Sequence, residues 1–197
     1  MEKKPLTEMT LQELWQLFPI VLKEHNPQYF AWYAAEERAL LSVVGAQNIV
    51  RIQHIGSTAV AGLLAKPIVD ILMEIANDCD TECLKAALLA ADWLLMNEQA
   101  QPYPQISFNK GYTPEGFAEQ VFHLHVRYAG DWDEPHFRDY LIANPNAGAQ
   151  YAALKMELKA QYEHDRDAYT DAKGEFVRGR ARQIARSFAV AQKPPCL

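Results

Sequence analysis

The chain has 197 residues, of which 49% are hydrophobic and 22% charged, and this is enough apolar material for one ordinary core. Its formal net charge is −6, an acidic balance that disfavours nucleic acids and membrane surfaces as partners. The sequence shows no apolar run long enough to span a bilayer, no apolar signal-peptide core, and no disulfide framework among its three cysteines. These features predict a cytoplasmic protein.

Capping residues predict two helices in the first third of the chain. Thr10 and Glu13 form the T-x-x-E pattern of a capping box, and Asn26-Pro27 is an N-cap followed by proline at the first helical position. The predicted elements are a helix from Thr10 to Phe18, a short strand over 20–22, and a helix from Pro27 to Val44 that stops at Gly45. Its inward residues are expected to be Phe30, Tyr33, Ala34, Leu40, Leu41 and Val44.

The remaining chain predicts a sheet followed by helices. Strands are expected over 49–55, 67–72, 93–96, 106–111 and 118–128, the last two joined by the turn 113–116 as an antiparallel hairpin. Helices are expected over 81–92, 135–143, 147–164 and 167–190. Asp80 is the expected N-cap of the first of these, and Cys83 is placed in or near its buried face. This order predicts an α+β protein with helices on one face of a small sheet.

A Gly-Ser turn between the first two strands carries the clearest chemical signal. Gly56 lets the backbone turn sharply, and Ser57 and Thr58 add hydroxyl groups beside exposed amides, an arrangement that can hold phosphate oxygens. Lys66 adds a cation before the next strand. That strand is apolar apart from Asp70, and a buried carboxylate is costly unless it is paired, hydrogen-bonded or bound to a metal. Each feature alone has an ordinary structural explanation, and only their order predicts a site.

The combined pattern resembles the GrpB family, a branch of the nucleotidyltransferase superfamily. The stretch His54–Asp70 fits H-[IV]-G-S-T-[AS]-V-x-G-L-x-A-K-P-I-[IV]-D, except that Ala61 stands where the family usually has proline. The resemblance covers most of the chain from about Pro19 onward. Its further segments are 122–126, 137–141, 151–155 and 168–177.

The resemblance implies a nucleotidyltransferase-like fold, and together with the predicted elements it divides the chain into three regions. These are an N-terminal helical extension over 1–18, an α/β core over 19–130 with a small mixed sheet and flanking helices, and a C-terminal helical segment over 131–197 packed on that core. In the superfamily the Gly-Ser turn holds nucleotide phosphates, and two carboxylates spaced D-x-D on the next strand bind Mg²⁺. Here position 72 is leucine, and Glu74 lies about 13 Å along the strand from Asp70, too far to share a metal without a bend.

The strand that holds the third acid in the superfamily carries two histidines here. His123, His125 and Arg127 alternate with apolar residues and therefore share one face of the strand. Asp70 with His125, or with both histidines, is predicted to bind a divalent metal or to act as an acid–base pair. The alternative is that the histidines are half-buried and hydrogen-bonded to backbone and to Asp70. His54 is expected to orient the loop.

Several cations of the family-like segments are candidates for the same cleft. Lys173 and Arg178 are preferred because a glycine follows Lys173, whereas Lys110, Arg138 and Lys155 are expected mostly at the surface. The predicted catalytic residues are Asp70, His125 and His123, and the predicted metal ligands are Asp70 and His125. The predicted substrate-binding residues are Gly56, Ser57, Thr58, Lys66, Arg127 and Lys173.

Two classes of function remain open from the sequence. One is an enzyme that binds a nucleotide or another phosphorylated small molecule and transfers a nucleotidyl group with Mg²⁺, Mn²⁺ or another divalent metal. The other is a non-catalytic nucleotide- or metabolite-binding or protein-interaction module with a degenerate site, which Leu72 favours. Another carboxylate near Asp70 would discriminate between them, and Asp131, Asp133 and Glu134 are the candidates. The acceptor and the oligomeric state stay open.

Overall fold

A computed structural model describes residues 4–99, 105–174 and 176–177 of the chain. A five-stranded mixed sheet forms its centre, in the order β1-β2-β5-β4-β3. The strands are β1 Ile49–Ile55, β2 Val69–Ile75, β3 Leu94–Gln99, β4 Gln105–Thr113 and β5 Gly116–Tyr128. The helices are α1 Leu11–Leu17, α2 Gln28–Val44, α3 Thr81–Ala90, α4 Asp133–Ala143 and α5 Pro145–Tyr162, followed by a helical stretch over 166–174, called α6 below.

The sheet is antiparallel except for its central pair. β2 and β5 run parallel, with Asp70 opposite His123 and Leu72 opposite His125, whereas β1–β2, β5–β4 and β4–β3 are antiparallel. The parallel pair joins elements that are far apart in the chain, and it therefore fixes which side chains of the two strands become neighbours.

One face of the sheet packs against α2 and α3 and forms the main core. Alternate residues of the two central strands, including Val69, Ile71 and Leu124, meet Leu40 and Leu88 of the helices. Burying an aliphatic side chain of this size stabilises the fold by about 1.5–3 kcal/mol. The residues between them face the other way, and this face carries Asp70, His123 and His125.

The C-terminal helices close the opposite side of the molecule. A second apolar cluster joins Val60 and Leu63, in the loop after β1, to Phe137 of α4 and Tyr151 of α5. A third cluster joins Ile20, Leu158 and Tyr169. Helices therefore lie on both faces of the sheet. α2 and α3 cover one face, and the C-terminal helices α4, α5 and α6 pack on the other side.

Most local predictions are confirmed by the backbone. Thr10 and Glu13 form both hydrogen bonds of a capping box, and Asp80 accepts hydrogen bonds from two backbone amides at the start of α3. Gly45 ends α2 with a φ of 84°. The hairpin of β4 and β5 is present, with its turn at Thr113 and Gly116.

Three expectations about local structure were wrong. Residues 20–22 form no strand; one isolated bridge joins Lys23 to Ala65, and the Ile20 amide donates to the carbonyl of Glu163 beyond α5. Phe30, expected inside, is 43% exposed. Cys83 is exposed because the phase of α3 turns its neighbour Leu84 inward.

The predicted last helix is described only in part. Residues 166–174 are helical, and the part of the prediction beyond Val177 lies outside the described residues. Within the described part of the chain, no helix has the length and apolar character needed to cross a membrane.

Candidate functional site

Asp70, His123 and His125 lie together on the face of the sheet opposite the main core. Nδ1 of His123 is 3.2 Å from Oδ1 of Asp70, and Nε2 of His125 is 3.9 Å from the same oxygen. One potential ligand atom from each residue lies within 4.8 Å of the others. The parallel register of β2 and β5 creates this cluster because it places Asp70 directly opposite His123. The structure thus brings together the three residues that the sequence predicted as catalytic.

The protonation of His123 follows from its neighbours. Its Nε2 lies 2.7 Å from the hydroxyl of Tyr112 and 3.3 Å from a guanidinium nitrogen of Arg166. Arginine only donates, so Nε2 accepts and the ring proton sits on Nδ1, facing Asp70. Burial lowers the pKa of His123 to about 4, against the opposing effect of Asp70. His123 is therefore neutral at pH 7 and donates a hydrogen bond to the carboxylate.

Asp70 is ionised in this environment. Burial disfavours its charge, but the interactions with His123, 3.2 Å away, and with His125, 3.9 Å away, outweigh burial and hold the pKa of the carboxyl well below its usual range. Its side chain is 28% exposed, which leaves it accessible to a ligand. A charged, reachable carboxylate beside a neutral imidazole can accept a proton or bind a cation.

Gly56 allows the turn after β1 to approach the carboxylate. Its backbone has φ 70° and ψ −170°, a combination that side chains disfavour. A Cβ atom at this position would lie 2.3 Å from Oδ2 of Asp70. A glycine is therefore needed here for two reasons, the backbone conformation and the space beside Asp70. The following residues, Ser57–Ala59, form a single 3₁₀ turn, so the loop does not begin a longer helix.

Ser57 contacts a buried lysine that comes from α5. Nζ of Lys155 lies 3.1 Å from Oγ of Ser57 and also donates to the carbonyl of Leu64. The ring of Tyr151 lies beneath the same Nζ, 4.6 Å from it. Lys155 is 2% exposed, so the expectation that it is a surface residue was wrong. It lies on the buried face of α5 with Ala147 and Tyr151, and this face packs against Val60 and Leu63 of the loop.

Four basic side chains of the described residues lie around Asp70, namely those of Lys66, Lys155, Lys173 and Arg166. Lys66 and Lys155 each have a pKa lowered to about 7, mainly by burial and then by the charge of Lys173. The pKa of Lys173 is lowered mainly by burial, while Asp70 raises it and Arg166 lowers it. The lysines thus repel one another and Arg166, and Asp70, the carboxylate that the described residues place among them, offsets this repulsion only in part. This basic cluster around the partly exposed Asp70, called the pocket below, attracts anions.

Thr58 is engaged inside the protein. Its side chain is fully buried, where its hydroxyl donates to the carbonyl of Ile68 and accepts from Nε2 of His54. Burial lowers the pKa of His54 to about 4, so its imidazole is neutral, and it stacks on Tyr33. Arg138 donates to the carbonyl of His54 from α4. These contacts hold the loop in place, and the Thr58 side chain does not reach the pocket.

Other candidate cations lie away from the cluster. Arg127 is buried at the far end of β5, where it packs over the Trp132 ring and lies 3.9 Å from Glu134. Lys110, one of the candidates for the cleft, forms an ion pair with Glu36 of α2 on the opposite side of the sheet and does not join the cluster. Arg178 lies outside the described residues.

No second carboxylate joins Asp70 among the residues that the structure describes. Leu72 is fully buried beside His125, Glu74 pairs with Arg51, and Asp131 pairs with His136. The cluster of one carboxylate and two imidazoles is a ligand type that transition metals favour, whereas Mg²⁺ prefers oxygen ligands. Asp70 and His125 fit a divalent cation best, because the Nδ1 proton of His123 faces Asp70.

Sequence reasoning missed Tyr112 and Arg166 and undervalued Lys155. Tyr112 follows a glycine at a bulge of β4, and the register shift there brings its hydroxyl to His123. Lys155 lies in the family-like segment 151–155, but its helical position gave no sign of the contact with Ser57, 98 residues earlier. Arg166 lies outside those segments, and no local signal marks its contact with His123, 43 residues earlier. Ser57, Lys66 and Lys173 were named as candidates because they lie in family-like segments.

The sequence profile described as GrpB protein matches residues 19–182. The chain belongs to the GrpB family. It is 33% identical over 161 residues to the glutamate-rich protein GrpB of Alkalihalophilus pseudofirmus, covering 80% of this chain and 91% of that one. It is 36% identical over 169 residues to a UPF0157 protein of Pseudomonas aeruginosa, covering 85% of this chain but 66% of the relative's length.

Solved structures confirm the fold of this GrpB-family chain. The crystal structure of GrpB from Enterococcus faecalis matches with a TM-score of 0.74 and 24% identity, over 85% of this chain and 99% of that one. This supports the α+β class with a small mixed sheet and flanking helices. The Cid1 poly(U) polymerase is a more distant neighbour, with a TM-score of 0.48 over 77% of this chain and 47% of that one. At that distance the likeness carries no argument about activity.

Proposed function

We propose that this GrpB-family protein binds a phosphorylated small molecule, a nucleotide in the first instance, through the pocket around Asp70. The supporting observation is the basic character of the pocket, where Lys66, Lys155, Lys173 and Arg166 lie around Asp70 and no second carboxylate of the described residues joins it. Phosphate oxygens would compensate these cations and would also accept hydrogen bonds from the Ser57 turn. The protein's location in the cytoplasm stays a prediction.

A divalent metal fits this site as a companion of the phosphate. Asp70 and His125 would hold the ion, with the phosphate and water supplying further oxygen ligands. When bound, it would polarise a phosphoryl oxygen. The surrounding lysines repel a bare cation, so we expect metal binding to be stronger once a phosphate is present. Mn²⁺ should be preferred over Mg²⁺ because an imidazole is one of the ligands.

One feature favours phosphate binding without nucleotidyl transfer. Leu72 occupies the strand position where a second metal-binding carboxylate would stand, and it is fully buried. Nucleotidyl transfer is the second candidate function, with Asp70 and His125 holding the metal and Lys66 neutralising charge on the phosphate. In this reading His123 keeps Asp70 ionised through its hydrogen bond.

Calorimetric titration tests the binding proposal. The wild-type chain is titrated with nucleoside triphosphates, a sugar phosphate and inorganic triphosphate, each with Mg²⁺, with Mn²⁺ and without metal. We expect at least one phosphorylated ligand to bind, and Lys66→Met to weaken its affinity about tenfold through the loss of a charge-assisted contact. Lys159→Met, which removes a surface cation paired with Glu163, is the control. Absence of binding by every phosphate, or equal binding by Lys66→Met, would contradict the proposal.

A further inference from the structure

The contact between Ser57 and Lys155 pairs a partly exposed serine with a buried amine. Ser57 is half-buried directly after the Gly56 turn, so part of its surface stays open to solvent. Lys155 comes from the middle of α5 and is 2% exposed, with Nζ 3.1 Å from that Oγ. A serine is activated as a nucleophile when a base that is shielded from water lies within hydrogen-bonding distance of its hydroxyl, and Ser57 and Lys155 have this geometry.

Lys155 makes no ion pair with any residue in the described part of the chain. Its neighbours are the Leu64 carbonyl, the Ser57 hydroxyl and the face of the Tyr151 ring, which is a weak partner for a charge. A buried ammonium without a carboxylate in contact is unfavourable. The pKa of Lys155 is lowered to about 7, first by burial and then by Lys173. A large fraction of the amine is therefore neutral at pH 7 to 8.

A neutral amine satisfies this arrangement of hydrogen bonds. As an ammonium, Lys155 donates to both the Leu64 carbonyl and Oγ of Ser57. The neutral amine keeps an N–H donor for the Leu64 carbonyl, and over the same 3.1 Å its lone pair can accept the hydroxyl proton of Ser57. We propose that Ser57 is a nucleophile and that Lys155 is its general base, a serine–lysine pair directed at an activated phosphorus centre. Serine–lysine pairs perform this role for other electrophiles on unrelated folds.

The reaction follows from the pocket's preference for phosphates. Oγ of Ser57 forms a bond to the terminal phosphorus of a phosphoanhydride, and the bond from that phosphorus to the bridging oxygen breaks. Lys155 takes the proton of Oγ and passes it to the departing phosphate, so the products are a phosphoserine at position 57 and the shortened phosphate ester. Lys66 and Lys173 neutralise charge on the phosphoryl oxygens.

The identity of the natural electrophile depends on the proposed function, but the reactivity of the Ser57–Lys155 pair does not. The groups that face Lys155 are Ser57 and Lys66 from the loop and its end, Tyr151 from α5, Lys173 from α6 and Asp70 from β2. Asp70 favours the ammonium, whereas the two lysines favour the neutral amine. A small phosphorus electrophile can therefore test the pair without any nucleotide.

The test is covalent labelling of the full chain with a fluorophosphonate, followed by intact mass and peptide mapping. The probe bonds to Oγ and releases fluoride. We expect one adduct on Ser57, no adduct there in Ser57→Ala, and labelling at least tenfold slower in Lys155→Met. Lys159→Met, on the same helix, is expected to match the wild type. The wild-type rate should rise with pH to a plateau, with a midpoint near pH 7.

Any of three results would contradict the proposed serine–lysine pair. These are no adduct on Ser57 at pH 8, an unchanged labelling rate in Lys155→Met, or a labelling rate whose pH profile has no midpoint below pH 9. Circular dichroism checks the fold of Lys155→Met, and the wild-type pH profile decides if that variant does not fold. Labelling of Ser57 without any phosphate binding in the titrations would contradict the proposed function alone. Phosphate binding without labelling would contradict only the serine–lysine pair.

Discussion

Nδ1 of His123 donates to Oδ1 of Asp70 over 3.2 Å, and the two residues are direct partners across parallel strands. The pair is therefore fixed by the backbone of the sheet. Because Tyr112 and Arg166 occupy the other ring nitrogen, the imidazole presents its proton to the carboxylate. Asp70 stays ionised in a partly buried position, where it is the near counter-charge for the lysines of the pocket.

We expect Asp70→Asn to lower the free energy of unfolding by about 2 kcal/mol, because the partly buried lysines lose their carboxylate. The pKa of Asp70 is depressed in the fold, so its contribution is fully present above the pKa of the unfolded chain. It is lost as the pH falls through the folded-state pKa. Urea denaturation at pH 7 measures the effect. Asp139→Asn, which breaks an exposed pair with Arg138, should change stability by less than about 0.5 kcal/mol. Equal losses would contradict this role of Asp70.

Gly56→Ala should destabilise the protein more than Gly62→Ala. Both glycines have positive φ, 70° and 77°, so both substitutions carry backbone strain of about 1 kcal/mol or more. A Cβ at Gly56 would also clash with Asp70, whereas no atom lies within 4 Å of a Cβ at Gly62. Thermal or urea unfolding of the two variants isolates the clash. Similar losses would show that Gly56 is needed for its backbone conformation alone.

Thr58→Val should cost about 1–3 kcal/mol of stability, because it leaves the buried groups of His54 and Ile68 without their shared partner. The valine matches threonine in shape, so packing is preserved. Thr170→Val, at an exposed position of α6, is the control and should be nearly neutral. If Thr58→Val instead weakened ligand binding at unchanged stability, the hydroxyl would have to contact the ligand directly.

The ligand-free protein should become more stable as the pH rises from about 7 towards 10. Lys66 and Lys155 have folded-state pKa values of about 7, below the value of about 10.4 in an unfolded chain. Between these values the unfolded chain binds more protons, so the free energy of unfolding increases with pH. Urea titrations across this range measure the slope, which Lys155→Met should reduce. If the free energy of unfolding stayed constant or fell with pH in both the variant and the wild type, the lowered pKa values of the buried lysines would be contradicted.

His125→Ala should weaken Mn²⁺ binding in the presence of a bound phosphate ligand by at least about tenfold, because an imidazole ligand is lost. Calorimetry of Mn²⁺ with the nucleotide-loaded chain gives the affinity. His136→Ala removes an exposed histidine that pairs with Asp131 and is the matched control. Unchanged Mn²⁺ affinity in His125→Ala would place any metal elsewhere.

Local rules were sufficient for the helix starts and the polar face of β5. The capping residues Thr10 and Asp80 identify the starts of α1 and α3, and their hydrogen bonds are formed as expected. The alternation of polar and apolar residues in β5 predicted that His123 and His125 share one face, because side chains two residues apart in a strand point the same way. The same rules failed for residues 20–22, because an apolar run does not specify whether a strand partner exists.

By itself the sequence determined the Gly-Ser turn, the acid on the following strand, the histidine pair and the family, because these features lie within short stretches of chain. Only the tertiary structure decided that Asp70 faces His123, since strand register depends on packing over the whole sheet. It also decided that Lys155 and Arg166 enter the pocket. Their positions follow from how α5 and α6 pack on the core, and the burial that lowers the pKa of Lys155 exists only after that packing is complete.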